Sequence, residues 1–153
     1  MSNLSALYAA LAAGGPAFTF NTQSITVYAP ASLKESYEKV DLPIRVLIPL
    51  GNDADARQGQ FVNLGSTLKM LWSIPDLMLL QLAQSGSGLA DYAPALISYC
   101  GAYADWMRTM RSPASQCALE NLDIAPGIYE WPAGSKREYA GVLCLVQYTE
   151  VLS

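Results

Sequence analysis

The chain has 153 residues, 52% of them hydrophobic and only 14% charged, with a net charge of −4. This length makes one domain with its own core, but soluble domains average about 25% charged residues. So few charges mean that the chain either enters a membrane or has much of its surface covered by other protein.

The membrane alternative is the weaker one. The best stretch, Leu64–Ala90, is interrupted by Lys69, Pro75, Asp76 and the glycine-rich Ser85–Gly88, where a spanning helix needs about 20 apolar residues in a row. The apolar start, Met1–Ala13, has no Lys or Arg before Lys34 and reads as an amphipathic helix rather than a secretory signal. Basic residues are scattered, with Lys136-Arg137 the one doublet, so the basic stripe of a phosphate-backbone binder is missing. Neither a membrane nor a nucleic acid is expected as a partner.

Several chemistries are excluded by residue type. With no histidine, Ser-His and Cys-His catalysis are ruled out, and the commonest metal ligand is absent. Cys100, Cys117 and Cys144 are odd in number and have no CxxC spacing. They read as buried thiols under reducing conditions, not as a disulfide framework or a zinc site.

In chain order, Ser2–Ala13 is a helix with Leu4, Leu7, Tyr8 and Leu11 on one face, ended by Gly14-Gly15-Pro16. Ser24–Ala29 is β-branched and aromatic, hence a strand, and Ala31–Asp41 is a charged loop or short helix. Leu42–Leu50 is the clearest strand. Leu42, Ile44, Val46, Ile48 and Leu50 share one face, and Pro43, Arg45, Leu47 and Pro49 the other. Its two prolines place it at an edge, or paired only in its middle. After a polar loop, Gly51–Gln60, a strand runs over Phe61–Ile74 and Pro75 stops it; Leu77–Leu82 fits strand or helix.

Leu89–Arg111 is the main helix. Its stripe comprises Leu89, Tyr92, Ala93, Leu96, Ile97, Cys100, Tyr103, Ala104, Met107 and Met110. Cys117–Ile124, leading into Gly127–Trp131, and Glu138–Leu152 look like a hairpin turning at Pro132–Ser135, and Val142–Val146, apolar on both faces, marks a strand that is central or covered on both sides. The fold class is α+β: one domain over residues 1–153, with an antiparallel or mixed sheet of four to five strands and helices packed on one face. The other face then needs a second cover, which a neighbouring subunit would supply.

The best acidic cluster is Asn52-Asp53-Ala54-Asp55, but Arg57 holds the next alternate position and Leu64 the twelfth, which spoils a calcium loop. No catalytic, cofactor or metal residues are expected. Gly86-Ser87-Gly88 lacks the further residues of a phosphate cradle. Trp72, Trp106, Trp131 and nine tyrosines are more aromatics than a small core needs. We take Arg45, Asp53, Asp55, Arg57, Trp106, Trp131, Lys136 and Arg137 as candidate subunit-interface residues. Trp131 lies beside a turn, Trp106 lies off the helix stripe, and Arg57 is placed for an inter-subunit ion pair.

An N-terminal helix, a first strand, and then an apolar strand opened by Leu42-Pro43-Ile44 and ended by Ile48-Pro49 resemble the tail-terminator and neck proteins of tailed bacteriophages. The strand around Trp72, the helix Tyr92–Arg111 and the closing Tyr139-Ala140-Gly141-Val142-Leu143-Cys144-Leu145 are similar to that family's later elements. The resemblance implies a homohexameric ring that caps the tail tube or joins it to the head. It also implies tail-tube or connector neighbours, a place in the virion after assembly in the host cytoplasm, and no catalysis or cofactor. The low charge departs from the family and leaves the station open between terminator, head–tail connector and another tail component. Two alternatives stand beside it. One is a small metal- or nucleotide-handling enzyme using Asp53, Asp55 and Arg45; the other is a stand-alone protein-binding module.

Overall fold

In the computed structural model, helix α1 (Leu4–Ala13) leads into a small hairpin of β1 (Thr19–Phe20) and β2 (Gln23–Ser24). Then follow β3 (Thr26–Tyr28), β4 (Ile44–Leu47), β5 (Gly59–Leu64), β6 (Thr67–Leu82), helix α2 (Ala93–Met107), β7 (Cys117–Glu130) and β8 (Glu138–Leu152). The structure describes residues 2–48, 59–64, 67–83 and 89–152. The main sheet has the order β3-β4-β6-β8-β7, with β5 also paired to β6. β3 and β4 are parallel and every other pair is antiparallel. The fold is therefore α+β with a mixed sheet, but of six strands rather than four or five.

The extra strand comes from the segment read as one strand over Phe61–Ile74. It is split between a hairpin, β5 and β6, and β6 then runs through Pro75 to Leu82, so Leu77–Leu82 is strand. Proline lacks the N–H that a ladder needs, and here a side chain makes up the loss. Ile48 N–H donates to Pro75 O at 3.0 Å. The reciprocal bond from Pro75 to Ile48 O is impossible, and the Tyr8 hydroxyl donates to Ile48 O instead, at 2.8 Å.

Among the described residues β4 pairs over Ile44–Leu47, and it is not an edge, because β3 lies on one side and β6 on the other; Pro49 and Leu50 lie outside the described residues. Its alternation splits two cores. Leu47 joins the α1 and α2 side chains in the larger core, while Leu42, Ile44, Val46 and Ile48 enter a smaller one on the opposite sheet face with Leu77, Leu79, Tyr37, Trp131 and Tyr139. The buried stripe of α2 is Leu96, Tyr99, Tyr103 and Met107. The expected stripe is rotated slightly, so that Tyr99 is buried while Ile97 is 68% exposed.

β8 is central, as its two-sided apolarity predicts, and β6 pairs along nearly its whole length. Leu79 pairs Gly141 and Gln81 pairs Ala140, leaving Leu80 as the extra residue of a bulge. The backbones close tightly there: a Cβ on Gly141 would lie 2.1 Å from the Met78 carbonyl oxygen. Gly141→Ala is expected to destabilise the domain by about 3 kcal/mol, since backbone cannot yield as a flexible side chain does; urea denaturation followed by circular dichroism measures it.

Candidate functional site

The strongest polar constellation is buried. Arg45 on β4 and Asp76 on β6 are both fully inaccessible. Arg45 Nε donates to Asp76 Oδ1 at 3.0 Å, and Nη2 donates to Oδ2 at 2.7 Å. Nη2 and Nη1 also donate to the carbonyls of Leu11 and Gly14, at the C-terminal end of α1, at 2.9 and 2.8 Å. Four of the five guanidinium N–H groups are thereby committed inside the chain. From α2, the Tyr103 hydroxyl donates to Asp76 Oδ2 at 2.7 Å, and the Trp106 ring lies 4.7 Å from the guanidinium carbon.

The sequence around α1 is built to let Arg45 in. A Cβ on Gly15 would lie 2.9 Å from Arg45 Nη1, and one on Gly14 would lie 3.3 Å from the Trp106 indole nitrogen. Burial works against the Arg45 charge, but the Asp76 carboxylate outweighs it and the guanidinium pKa is raised. Burial first, and Asp76 second, push the Tyr99 and Tyr103 hydroxyls well above their usual range, so Tyr103 stays protonated and donates. The Cys144 thiol is raised by the same two causes, which makes it a poor nucleophile.

A second buried carboxylate stands at the other end of α1. Glu150 on β8 is 1% exposed. Its Oε1 accepts the backbone N–H of Asn3 and its Oε2 the indole N–H of Trp72, both at 2.7 Å. An anion at the helix N-terminus and a cation at its C-terminus both complement the macrodipole. Neither Asp76 nor Glu150 is among the residues the sequence offers as functional candidates.

The interface candidates therefore divide. Arg45 is corrected outright, since a fully buried side chain paired within its own chain touches no neighbour; the alternative of an enzyme using Arg45 loses that group as well. Trp131 is also corrected. It is 7% exposed and part of the second core, because the turn beside it folds back with Trp131 N–H donating to Arg137 O. Trp106 is half-buried as a lid on Arg45 and meets Tyr103 edge-on at 5.3 Å. Arg137 pairs with Glu38 through both guanidinium ends, at 3.0 and 3.3 Å. Lys136 is exposed, and its backbone N–H donates to Glu130. Asp53, Asp55 and Arg57 lie outside the described residues. No group of His, Cys, Asp or Glu placed to hold a metal ion occurs among the described residues.

What the described residues leave least covered is sheet. β6 spans roughly 50 Å at strand rise, whereas the fifteen residues of α2 reach about 22 Å. Both helices pack on one face. On the other face the second core covers one end, and beyond it Leu71, Pro75 and Leu145 are partly buried and belong to neither core. A polar ladder crosses this region, in which Gln147 Nε2 donates to Ser73 Oγ at 2.9 Å and Asn121 Nδ2 to Gln147 Oε1 at 3.1 Å. On the helix-bearing face, the tip of the β5–β6 hairpin presents Phe61 and Leu68, 64% and 42% exposed.

Removing one partner of the buried pair, by Arg45→Met or Asp76→Asn, is expected to cost 3–5 kcal/mol, about the cost of an orphaned buried charge or donor set. The double variant Arg45→Met/Asp76→Leu should recover at least half of that loss, which a urea double-mutant cycle reads directly. Trp131→Ala should lower protomer stability by about 3 kcal/mol, by the same amount at low and high protein concentration in urea denaturation. Trp131→Phe should stay within about 1 kcal/mol, since the indole N–H has no acceptor in its pocket.

No known protein family, characterised protein or solved structure matches the chain.

Proposed function

We propose that the protein is a non-enzymatic structural subunit that closes into a ring, in the manner of the tail-terminator and neck proteins of tailed bacteriophages. Its station is the virion, and its neighbours are copies of itself and tail-tube or connector proteins. The observation that carries this reading is the stretch of the second sheet face that no described helix or core covers. Leu71, Pro75 and Leu145 sit there outside both cores, on a chain with too few charges to solvate such a surface. Added support comes from chemistry the chain lacks: it has no histidine, and its buried arginine is bound by its own aspartate and helix carbonyls.

A ring places the same two patches in contact around a closed circle, so its copy number is fixed. Native mass spectrometry and sedimentation should show one closed species, with six copies favoured by the resemblance. Leu145→Arg puts a cation on the open face beside Asp123, its cross-strand partner. It is expected to leave stability within about 1 kcal/mol while dissociating the ring. A wild-type protein that stays monomeric at tens of micromolar, roughly the concentration at which micromolar contacts assemble, would sink the reading.

A further inference from the structure

The parallel pair β3 and β4 needs a crossover connection, and such a connection usually contains a helix that packs through a whole apolar stripe. Here residues 29–41 cross the second face with only two short 3-10 turns, Pro30–Ser32 and Lys39–Asp41. In this stretch Tyr37 alone is fully buried, and Val40 is 86% exposed. Tyr37 is a knob in the second core. Its ring lies 4.9 Å from that of Tyr28, its hydroxyl accepts the Lys34 backbone N–H at 3.0 Å, and its carbonyl accepts the Tyr139 hydroxyl at 2.9 Å. The other ties are at the surface: the Glu38–Arg137 ion pair and Lys34 beside Asp41 and the Tyr28 ring. Exposed ion pairs each hold little.

We infer that residues 29–41 form a strap that opens as a unit while the rest of the domain stays folded, uncovering the smaller core on the second sheet face. A segment with one fully buried anchor, one leucine (Leu33) partly buried against the same core and otherwise exposed ties belongs to the low end of local stability. The surface beneath it is continuous with the open region. Leu77 and Leu79 follow Pro75 along β6 on the same face, and Tyr139 and Leu143 precede Leu145 along β8. With the strap lifted, the sheet presents one apolar face from the β4 end to the polar ladder, which a second copy would cover. Only this last step rests on the ring reading; the opening itself does not.

Native-state trypsin digestion of the full chain, followed by mass spectrometry, tests the strap. Lys34 and Lys39 lie on it, and Lys69, inside β6, serves as the internal control. Cleavage at Lys34 and Lys39 should proceed with little dependence on urea below the unfolding transition, while cleavage at Lys69 follows global unfolding. Tyr37→Ala should speed strap cleavage at least about tenfold, because protease access tracks the open population, with Lys69 still protected. Arg137→Gln loses only the surface ion pair; it should speed strap cleavage about two- to fivefold at an unchanged melting midpoint, and so decides the matter if Tyr37→Ala does not fold. Cleavage at Lys34 and Lys39 that rises with urea on the same slope as at Lys69 would overturn the strap and leave the ring untouched. A monomer whose strap is cut independently would overturn the ring and leave the strap standing.

Discussion

The Arg45–Asp76 pair is the constraint on which the remaining packing depends, because it joins four elements at one point. β4 supplies the cation, β6 the anion, α2 the Tyr103 hydroxyl and the Trp106 lid, and α1 two carbonyls at its C-terminal end. A buried ion pair is weak evidence of stability in itself. Its effect here is on register. A one-residue slip of β4 against β6 turns every side chain to the other face. It would drive Arg45 into the second core and leave Asp76 orphaned, so only the pairing of Arg45 opposite Met78 and Leu47 opposite Asp76 satisfies both charges.

Helix α1 shows how the same logic docks an element that cannot stand alone. Ten residues are too few for a stable isolated helix, and α1 has no acidic residue in its first turn and no basic residue in its last. The missing complement to its dipole comes from the sheet: Glu150 of β8 meets its N-terminus and Arg45 of β4 its C-terminus. Leu7 and Leu11 bury the face between them. The helix is thus fixed along its axis by charge and across it by apolar contact, and it returns the benefit through Tyr8, which completes the hydrogen bonding that Pro75 interrupts.

Much of this was legible in the residues. Period-two alternation located β4 and its two faces, two-sided apolarity located β8 at the centre, and Gly14-Gly15-Pro16 ended α1. What escaped was tertiary. Arg45 and Asp76 are lone charges in apolar strands, a pattern that itself points to a buried pair. The prolines beside Arg45 point to an edge, whereas the parallel partner β3 that covers that edge is only three residues long and leaves a weak signal. Pro75 looked like a terminator because the hydroxyl that compensates for it comes from residue 8. Tyr37 carries no periodic signal, since the strap forms no regular helix or strand around it, and Trp131 reads as exposed beside its turn until the strap and Tyr139 close over the same core.

The shortage of charge acquires a sharper meaning once positions are known. Of 22 charged residues, Arg45, Asp76 and Glu150 lie in the interior, so the surface is poorer in charge than the composition alone implies. The remaining charge is unevenly placed along the strand edges. β7, the outer strand, carries Glu120 at a bulge, Asp123, Pro126 and Glu130, the features by which edges resist casual pairing. β5, whose one partner among the described residues is β6, has neither charge nor proline over Gly59–Leu64 and presents Phe61. A domain selected to remain alone would guard both edges and solvate the open face. Among the described residues the β7 edge is guarded and the β5 edge is not, and on the open face, beside Asp123, lies a ladder of amides and a hydroxyl whose hydrogen bonds can direct a contact at less desolvation cost than buried charge. Under the proposed ring, this difference between the outer strands β7 and β5 is what head-to-tail association between identical subunits would use.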